Sequence, residues 1–219
     1  MEEIIKISIY IHAFFGGIGL IAGLGSVIVK KGKYSHLKLG RIFSYSMIIS
    51  SLISLIIARM PNHKNLFLFL IGVFTIYLVL AGNQALTFKN KSKENASLTD
   101  KLISGIMMGA SILMIAIGTI GIFQEIDNSV LFLFFGGFGA FLTIKDFMLF
   151  KSFKKNKKFW LKNHLGRMIG ALIASITAFI VAGLNIGTIF FWITPSIIGT
   201  AYIFYWNRKL QTKTIANIV

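Results

Sequence analysis

Apolar residues run in seven long stretches along the chain, separated by short clusters of Lys, Asn and Ser. The stretches are Ile7–Val29, Ile42–Ala58, Leu66–Leu86, Leu102–Phe123, Val130–Phe150, Met168–Leu184 and Gly187–Trp206. A helix crossing the hydrocarbon core of a bilayer needs about 20 mostly apolar residues. Each run is continuous and does not alternate, which excludes the strands of a membrane barrel. It predicts helices, which satisfy their own backbone hydrogen bonds in lipid. The second and sixth runs are short, so their ends are expected at head-group depth. The expected fold is therefore all-α: one integral membrane domain over residues 1–219 with seven transmembrane helices. The first run does not read as a cleavable signal peptide, because Glu2 and Glu3 precede it and its apolar stretch is too long.

Composition agrees with this pattern. Hydrophobic residues make up 55% of the 219 and charged residues only 14%, whereas a soluble domain carries about a quarter charged residues to coat its surface. The absence of Cys removes disulfides, thiolate metal sites and cysteine nucleophiles from consideration.

A net charge of +16 raises nucleic acid as a partner until the charges are placed. Lys30, Lys31, Lys33, Lys38 and Arg41 fall between the first and second runs; Lys89, Lys91, Lys93 and Lys101 fall between the third and fourth. Eight more basic residues lie from Lys145 to Arg167, and Arg208, Lys209 and Lys213 follow the seventh run. Only Lys6, Arg59 and Lys64 remain for the opposite side. Basic loops stay in the cytoplasm, which predicts an outer amino terminus and an inner carboxyl terminus. The charge is thus an orientation signal, and no folded basic module is left over to bind nucleic acid. In the loop Lys151–Lys162, Phe153, Phe159 and Trp160 interleave with six lysines. That pattern suits contact with anionic lipid head groups, or a solvated loop anchored by one interfacial Trp.

Two motifs occur twice in the same order. Phe14-Phe15-Gly16-Gly17-Ile18-Gly19 is echoed by Phe134-Phe135-Gly136-Gly137-Phe138-Gly139. His36-Leu37 with Gly40-Arg41 is echoed by His164-Leu165-Gly166-Arg167. The order predicts a parallel repeat of residues 7–86 and 130–206, with 102–123 as a linker helix. Small residues four apart (Gly19 and Gly23; Ser46, Ser50 and Ser54; Gly105 and Gly109; Gly170, Ala174, Ala178 and Ala182) predict faces of close helix contact. Such faces also leave room for a homo-oligomer.

Ionisable residues inside a membrane are costly unless paired or wetted, so each is a candidate site. Asp146 lies about one turn inside its helix and needs a cation, a donor or a proton. His36, Arg41, His164 and Arg167 are expected at the same depth. Together these five residues form a candidate ligand site suited to an anionic head group, a carboxylate or a proton-linked step. Snorkelling of Arg and carbonyl capping by His are the structural alternatives. Tyr77, Asn83 and Gln84 share that depth. His12 and His63 form a second candidate pair, strained as a bis-His site; pairing of His12 with Tyr10 and a bond to a neighbouring helix are its alternatives. No His pair stands at metal-ligand spacing beside a carboxylate, and no phosphate loop, nucleophile elbow or dinucleotide fingerprint is present.

The run Ile11-His12, Lys30-Lys31-Gly32, His36 and Gly40-Arg41 carries a broader pattern. It continues with Asp146, Trp160-Leu161-x-x-His164-x-Gly166-Arg167-Met168, Thr177-Ala178-Phe179, Pro195, Gly199-Thr200 and Tyr205-Trp206. Over nearly its whole length the chain resembles a family of uncharacterised bacterial multi-pass membrane proteins, a domain of unknown function. The resemblance implies the bacterial cytoplasmic membrane as location and a family pattern at these polar positions. It implies no activity or cofactor, and Asn83-Gln84 departs from it. Three functions stay open: a protein that binds or transports a small molecule or anionic lipid, a redox protein holding haem or quinone, and a non-catalytic scaffold subunit. No catalytic set is visible.

Overall fold

A computed structural model describes residues 2–90, 93, 95–126, 129–151, 159–186 and 188–215. Its elements are α1 (Glu2–Ile28), α2 (Tyr34–Ile57), α3 (Leu66–Thr87), α4 (Leu98–Phe123), α5 (Ser129–Lys151), α6 (Phe159–Ala178) and α7 (Ile189–Ile215). A π-helical turn, Phe179–Gly183, extends α6. Among the described residues, six helices are long and apolar enough to cross a membrane: α1 to α5, and α6 with its π turn. Large apolar side chains such as Ile21, Ile28, Ile106 and Phe123 face outward, as expected where lipid is the solvent. The chain is a multi-pass helical membrane protein.

Two of these helices begin well before their apolar runs. α2 starts at Tyr34 and α6 at Phe159, so His36, Arg41, His164 and Arg167 are helical residues instead of loop residues leading into helices. Polar side chains lower hydropathy without breaking a helix, and neither segment contains Pro. Of the loop 151–162, Lys151 closes α5 and Phe159–Lys162 opens α6; Phe153 and four of its six lysines lie outside the described residues. Two other starts have recognisable caps. Asn65 Oδ1 accepts from the Leu68 amide at 3.0 Å, and Ser97 with Asp100 forms a reciprocal capping box on α4.

α1 packs along α2, and α4 along α5. α3 and α6 meet in the centre, and α7 packs on α6. The core between them includes Phe43, Met47, Phe74, Tyr77, Leu78, Val79, Met107 and Met114. Glycine makes several of these approaches possible. A Cβ on Gly19 would fall 2.4 Å from the Met47 methyl, and one on Gly139 would fall 2.4 Å from Ser111 Oγ. Gly105 and Gly109, by contrast, have open space beside them. α4 therefore meets α5 through Ser111, Met114 and Gly118, and the expected Gly105–Gly109 contact face is not used.

The parallel repeat is not reproduced in the packing. Gly19 of the first Phe-Phe-Gly-Gly motif meets α2, the helix that follows, whereas Gly136 and Gly139 of the second meet α4, the helix that precedes. α5 makes no contact with α6 comparable to that of α1 with α2. The matched glycines serve close packing in both places, but on non-equivalent neighbours.

Candidate functional site

Asp146 lies near the end of α5, with 5% of its surface exposed. Three helices supply its donors. Arg167 of α6 places Nη2 2.6 Å from Oδ1, while Tyr77 of α3 and Ser104 of α4 donate to Oδ2 at 2.6 and 3.0 Å. The same Arg167 nitrogen donates to the Leu142 carbonyl at 2.9 Å, and the guanidinium lies over the Tyr77 ring. This density of donors offsets the cost of burying the pair in a low-dielectric setting. Arg167 thereby bridges two helices, α5 and α6, that are otherwise held apart.

Beside this pair is a cavity of about 20 Å³ bordered by Gln84, Asp100, Ser104, Asp146, Asn163 and Arg167, room for one water molecule. Asp100 Oδ1 and Arg167 Nε are buried without a hydrogen-bond partner, and the other Asp100 oxygen takes Lys93 Nζ at 2.7 Å.

The remaining three members of the expected cluster lie elsewhere. His36, Arg41 and His164 border a half-open chamber of about 510 Å³ between α1, α2, α3, α6 and α7, with Arg41 and Lys89 on its exposed side. Three cations, Lys31, Arg41 and Lys89, line it with these two imidazoles, Trp160 and Trp206, and no carboxylate does. Lys31 Nζ donates to the carbonyls of Ser26 and Val27 in the last turn of α1 and of Val29 just past it. It also sits 5.5 Å from the Trp206 ring centre, and Lys89 sits 5.7 Å from that of Trp160. Lys31 lies in the α1–α2 turn, where burial pushes its ammonium below the ordinary lysine pKa. Arg41 has no acidic partner among the described residues. The chamber is thus a site of unbalanced positive charge with an apolar and aromatic interior.

Both imidazoles are held in one way. His36 Nδ1 lies 3.1 Å from the Ser26 carbonyl, and His164 Nδ1 lies 2.8 Å from the Gly82 carbonyl. A carbonyl only accepts, so each Nδ1 carries the proton, which leaves each Nε2 with its lone pair when the ring is neutral.

On the opposite flank of α6, a groove of about 1160 Å³ runs between α5, α6 and α7. Phe134, Phe138 and Phe141 form its apolar wall, with Lys145 and Lys162 at one end. From Phe134 to Lys151, its α5 wall rises about 25 Å at 1.5 Å per residue.

The second expected pair is not brought together. His12 Nδ1 is 2.9 Å from both the carbonyl and the hydroxyl of Ser50, pinning α1 to α2, and His63 is on the exposed α2–α3 turn. Ser104 and Lys89 join the sites without having been singled out by sequence as site residues, and Lys31 and Trp206 stood out only within the family pattern. Ser104 is one small hydroxyl in a Ser-rich chain, and the basic residues read as orientation signals. No protein family, curated protein or solved structure matches the chain.

Proposed function

We propose that the protein binds an anionic small molecule with an apolar or planar body at the cytoplasmic face of a bacterial inner membrane. The observation that carries this reading is the 510 Å³ chamber, lined by three cations, two imidazoles and two tryptophans without a carboxylate. A chamber of that size falls in the range of pockets that bury a cofactor-sized ligand, and Arg41 offers a carboxylate or phosphate two parallel hydrogen bonds. In this proposal α7 is a seventh span, the amino terminus is outside and the carboxyl terminus inside, as the distribution of Lys and Arg argues. Anionic lipid head groups are the natural neighbours of the basic end, and the Phe-lined groove offers an acyl chain a lateral path toward Lys145 and Lys162. The polar positions behind the family resemblance then fall into two groups. His36, Arg41 and His164 face a ligand, and Asp146 with Arg167 hold the helices that form its walls.

Trp160 and Trp206 border the chamber, so their fluorescence reports on occupancy. Titration of the purified protein with a medium-chain alkyl phosphate is expected to give a saturable fluorescence change, and the matching uncharged alkyl alcohol none. Arg41→Gln should weaken binding about tenfold or more, from the roughly 1.5 kcal/mol of a hydrogen bond to a charged group. Arg59→Gln, on the α2–α3 turn, should not. Equal response to phosphate and alcohol, or equal effects of the two substitutions, would defeat the proposal. In that case a scaffold role for the helix faces becomes the better reading.

A further inference from the structure

Charge explains why the chamber suits an anion, and Nδ1 of each histidine ties its helix to a neighbouring segment, but neither accounts for the Nε2 atoms. An anion-binding histidine is used protonated, with both ring nitrogens donating. In His36 and His164 the Nδ1–H is committed to the protein, so Nε2 offers a lone pair when the ring is neutral and a donor only when it is protonated. Each directs Nδ1–H to a backbone carbonyl of another segment, Ser26 at the end of α1 and Gly82 in α3. Among the described residues neither Nε2 has a hydrogen-bond partner, and both histidines border one chamber. A fixed Nδ1–H with a free Nε2 is how metal-ligating imidazoles are oriented, the carbonyl setting the tautomer and raising the basicity of the ligating nitrogen.

The other lining residues restrict which metal species fits. Three cations and no carboxylate repel a bare divalent ion, and no group of three or more His, Asp and Glu residues that could hold a metal occurs among the described residues. The metal must arrive inside a ligand that is itself anionic, largely apolar and flat enough to lie between aromatic walls. An iron porphyrin meets all of these requirements. Its ring can contact Phe43, Met168, Leu172 and Trp206, its two propionates can pair with Arg41, Lys31 or Lys89, and its iron accepts axial imidazoles.

We propose that His36 and His164 are the axial ligands of an iron porphyrin held in this chamber. The inference rests on the anionic-ligand reading and sharpens it to one ligand class. α2 and α6 would each supply one ligand from near its first helical turn, and the α1 and α3 carbonyls would orient them.

The test is titration of the purified full-length protein in mild detergent with iron(III) protoporphyrin, followed by visible absorption and electron paramagnetic resonance. One equivalent should produce the sharpened Soret band and low-spin signal of two imidazoles on iron. His36→Ala or His164→Ala should each convert the bound iron to a high-spin, five-coordinate form and weaken binding by roughly tenfold or more. Added imidazole should restore the low-spin spectrum in either variant. That rescue separates lost ligation from misfolding. His63→Ala should leave the wild-type spectrum unchanged.

Metal-free protoporphyrin is the second arm. If it binds as tightly as the iron form, with the same dependence on Arg41, the chamber takes the dicarboxylate but the histidines do not ligate; the inference fails while the anionic reading stands. If neither porphyrin binds although the alkyl phosphate does, the inference likewise fails alone. If all three ligands fail to bind, both readings fall. A high-spin spectrum in the wild type, unmoved by either histidine substitution, would also overturn it.

Discussion

Replacing Asp146 by Leu strands the guanidinium of Arg167 in a site where only 5% of that residue is exposed. The nearest charge that balances it disappears, and Tyr77 and Ser104 lose the oxygen to which both donate. Breaking a buried ion pair from one side costs about 3–5 kcal/mol, because the surviving charge keeps its desolvation penalty. At roughly 2–4 °C per kcal/mol for a chain of this size, the melting temperature should fall by about 6–20 °C. Thermal unfolding in detergent, followed by tryptophan fluorescence, measures the shift. Arg167→Met should do comparable damage by leaving the carboxylate uncompensated. The informative member of the cycle is the double variant Asp146→Leu/Arg167→Met, in which no buried charge remains. Two apolar side chains of similar volume should recover much of the loss, less about 1–3 kcal/mol for the orphaned Tyr77 and Ser104 hydroxyls. A double variant whose loss equals the sum of the two single losses would refute the argument, because independent sites add. So would an Asp146→Leu protein that melts within about 0.5 kcal/mol of the wild type, the range of ordinary surface changes.

Further expectations follow from other parts of the molecule. Anion affinity should decline as pH rises through the Lys31 pKa. Burial lowers that pKa, so the decline should begin at a lower pH than for an ordinary lysine, and Lys31→Arg should move it upward; an unchanged profile would remove Lys31 from the site. Gly139→Leu should cost about 1–3 kcal/mol or more by overpacking the α4–α5 contact, where even a Cβ would meet Ser111 Oγ at 2.4 Å. Gly105→Leu, beside open space, should leave melting and monodispersity nearly unchanged, and the reverse order would mean the helix pair is misassigned. Because the chain has no Cys, single cysteines can report sidedness directly. A thiol at Asn62 should react from outside the cell and one at Lys89 from inside, and swapped reactivity would invert the orientation.

Hydrophobic runs located the helices because the need for about 20 apolar residues leaves few alternatives in a bilayer. They failed at the starts of α2 and α6. There Lys, His and Asn dilute the hydropathy of segments that are nonetheless helical. The difference bears on the site, because His36 and His164 are helical and stand at the chamber wall. Asp146 was legible as an anomaly, since a carboxylate in an apolar helix has to be answered by something. Its partners were not all legible. Tyr77, Ser104 and Arg167 lie on three different helices, and local sequence carries no record of which helices meet. The repeated Phe-Phe-Gly-Gly motif misled for a related reason. Glycine permits close approach but does not say to which neighbour, and the two copies face helices on opposite sides in chain order.

α6 lies between the basic chamber and the Phe-lined groove and lines both. His164 and Arg167 are three residues apart, close enough to share one side of the helix, yet they serve different neighbours. His164 takes the Gly82 carbonyl and borders the basic chamber, while Arg167 crosses to Asp146 and borders the Phe-lined groove. The backbone at Gly82 sits against Arg167 and Met168 so closely that a Cβ there would meet the Met168 sulfur at 2.7 Å. The glycine that allows α3 and α6 to touch is thus the same residue whose carbonyl fixes the imidazole. A change that pushes α3 from α6 at this level would disturb the histidine tautomer and the buried ion pair together. Gly82→Ala tests that linkage: both ligand binding and thermal stability should decline, and a variant that lost only one of the two would show that chamber and core pair are independent.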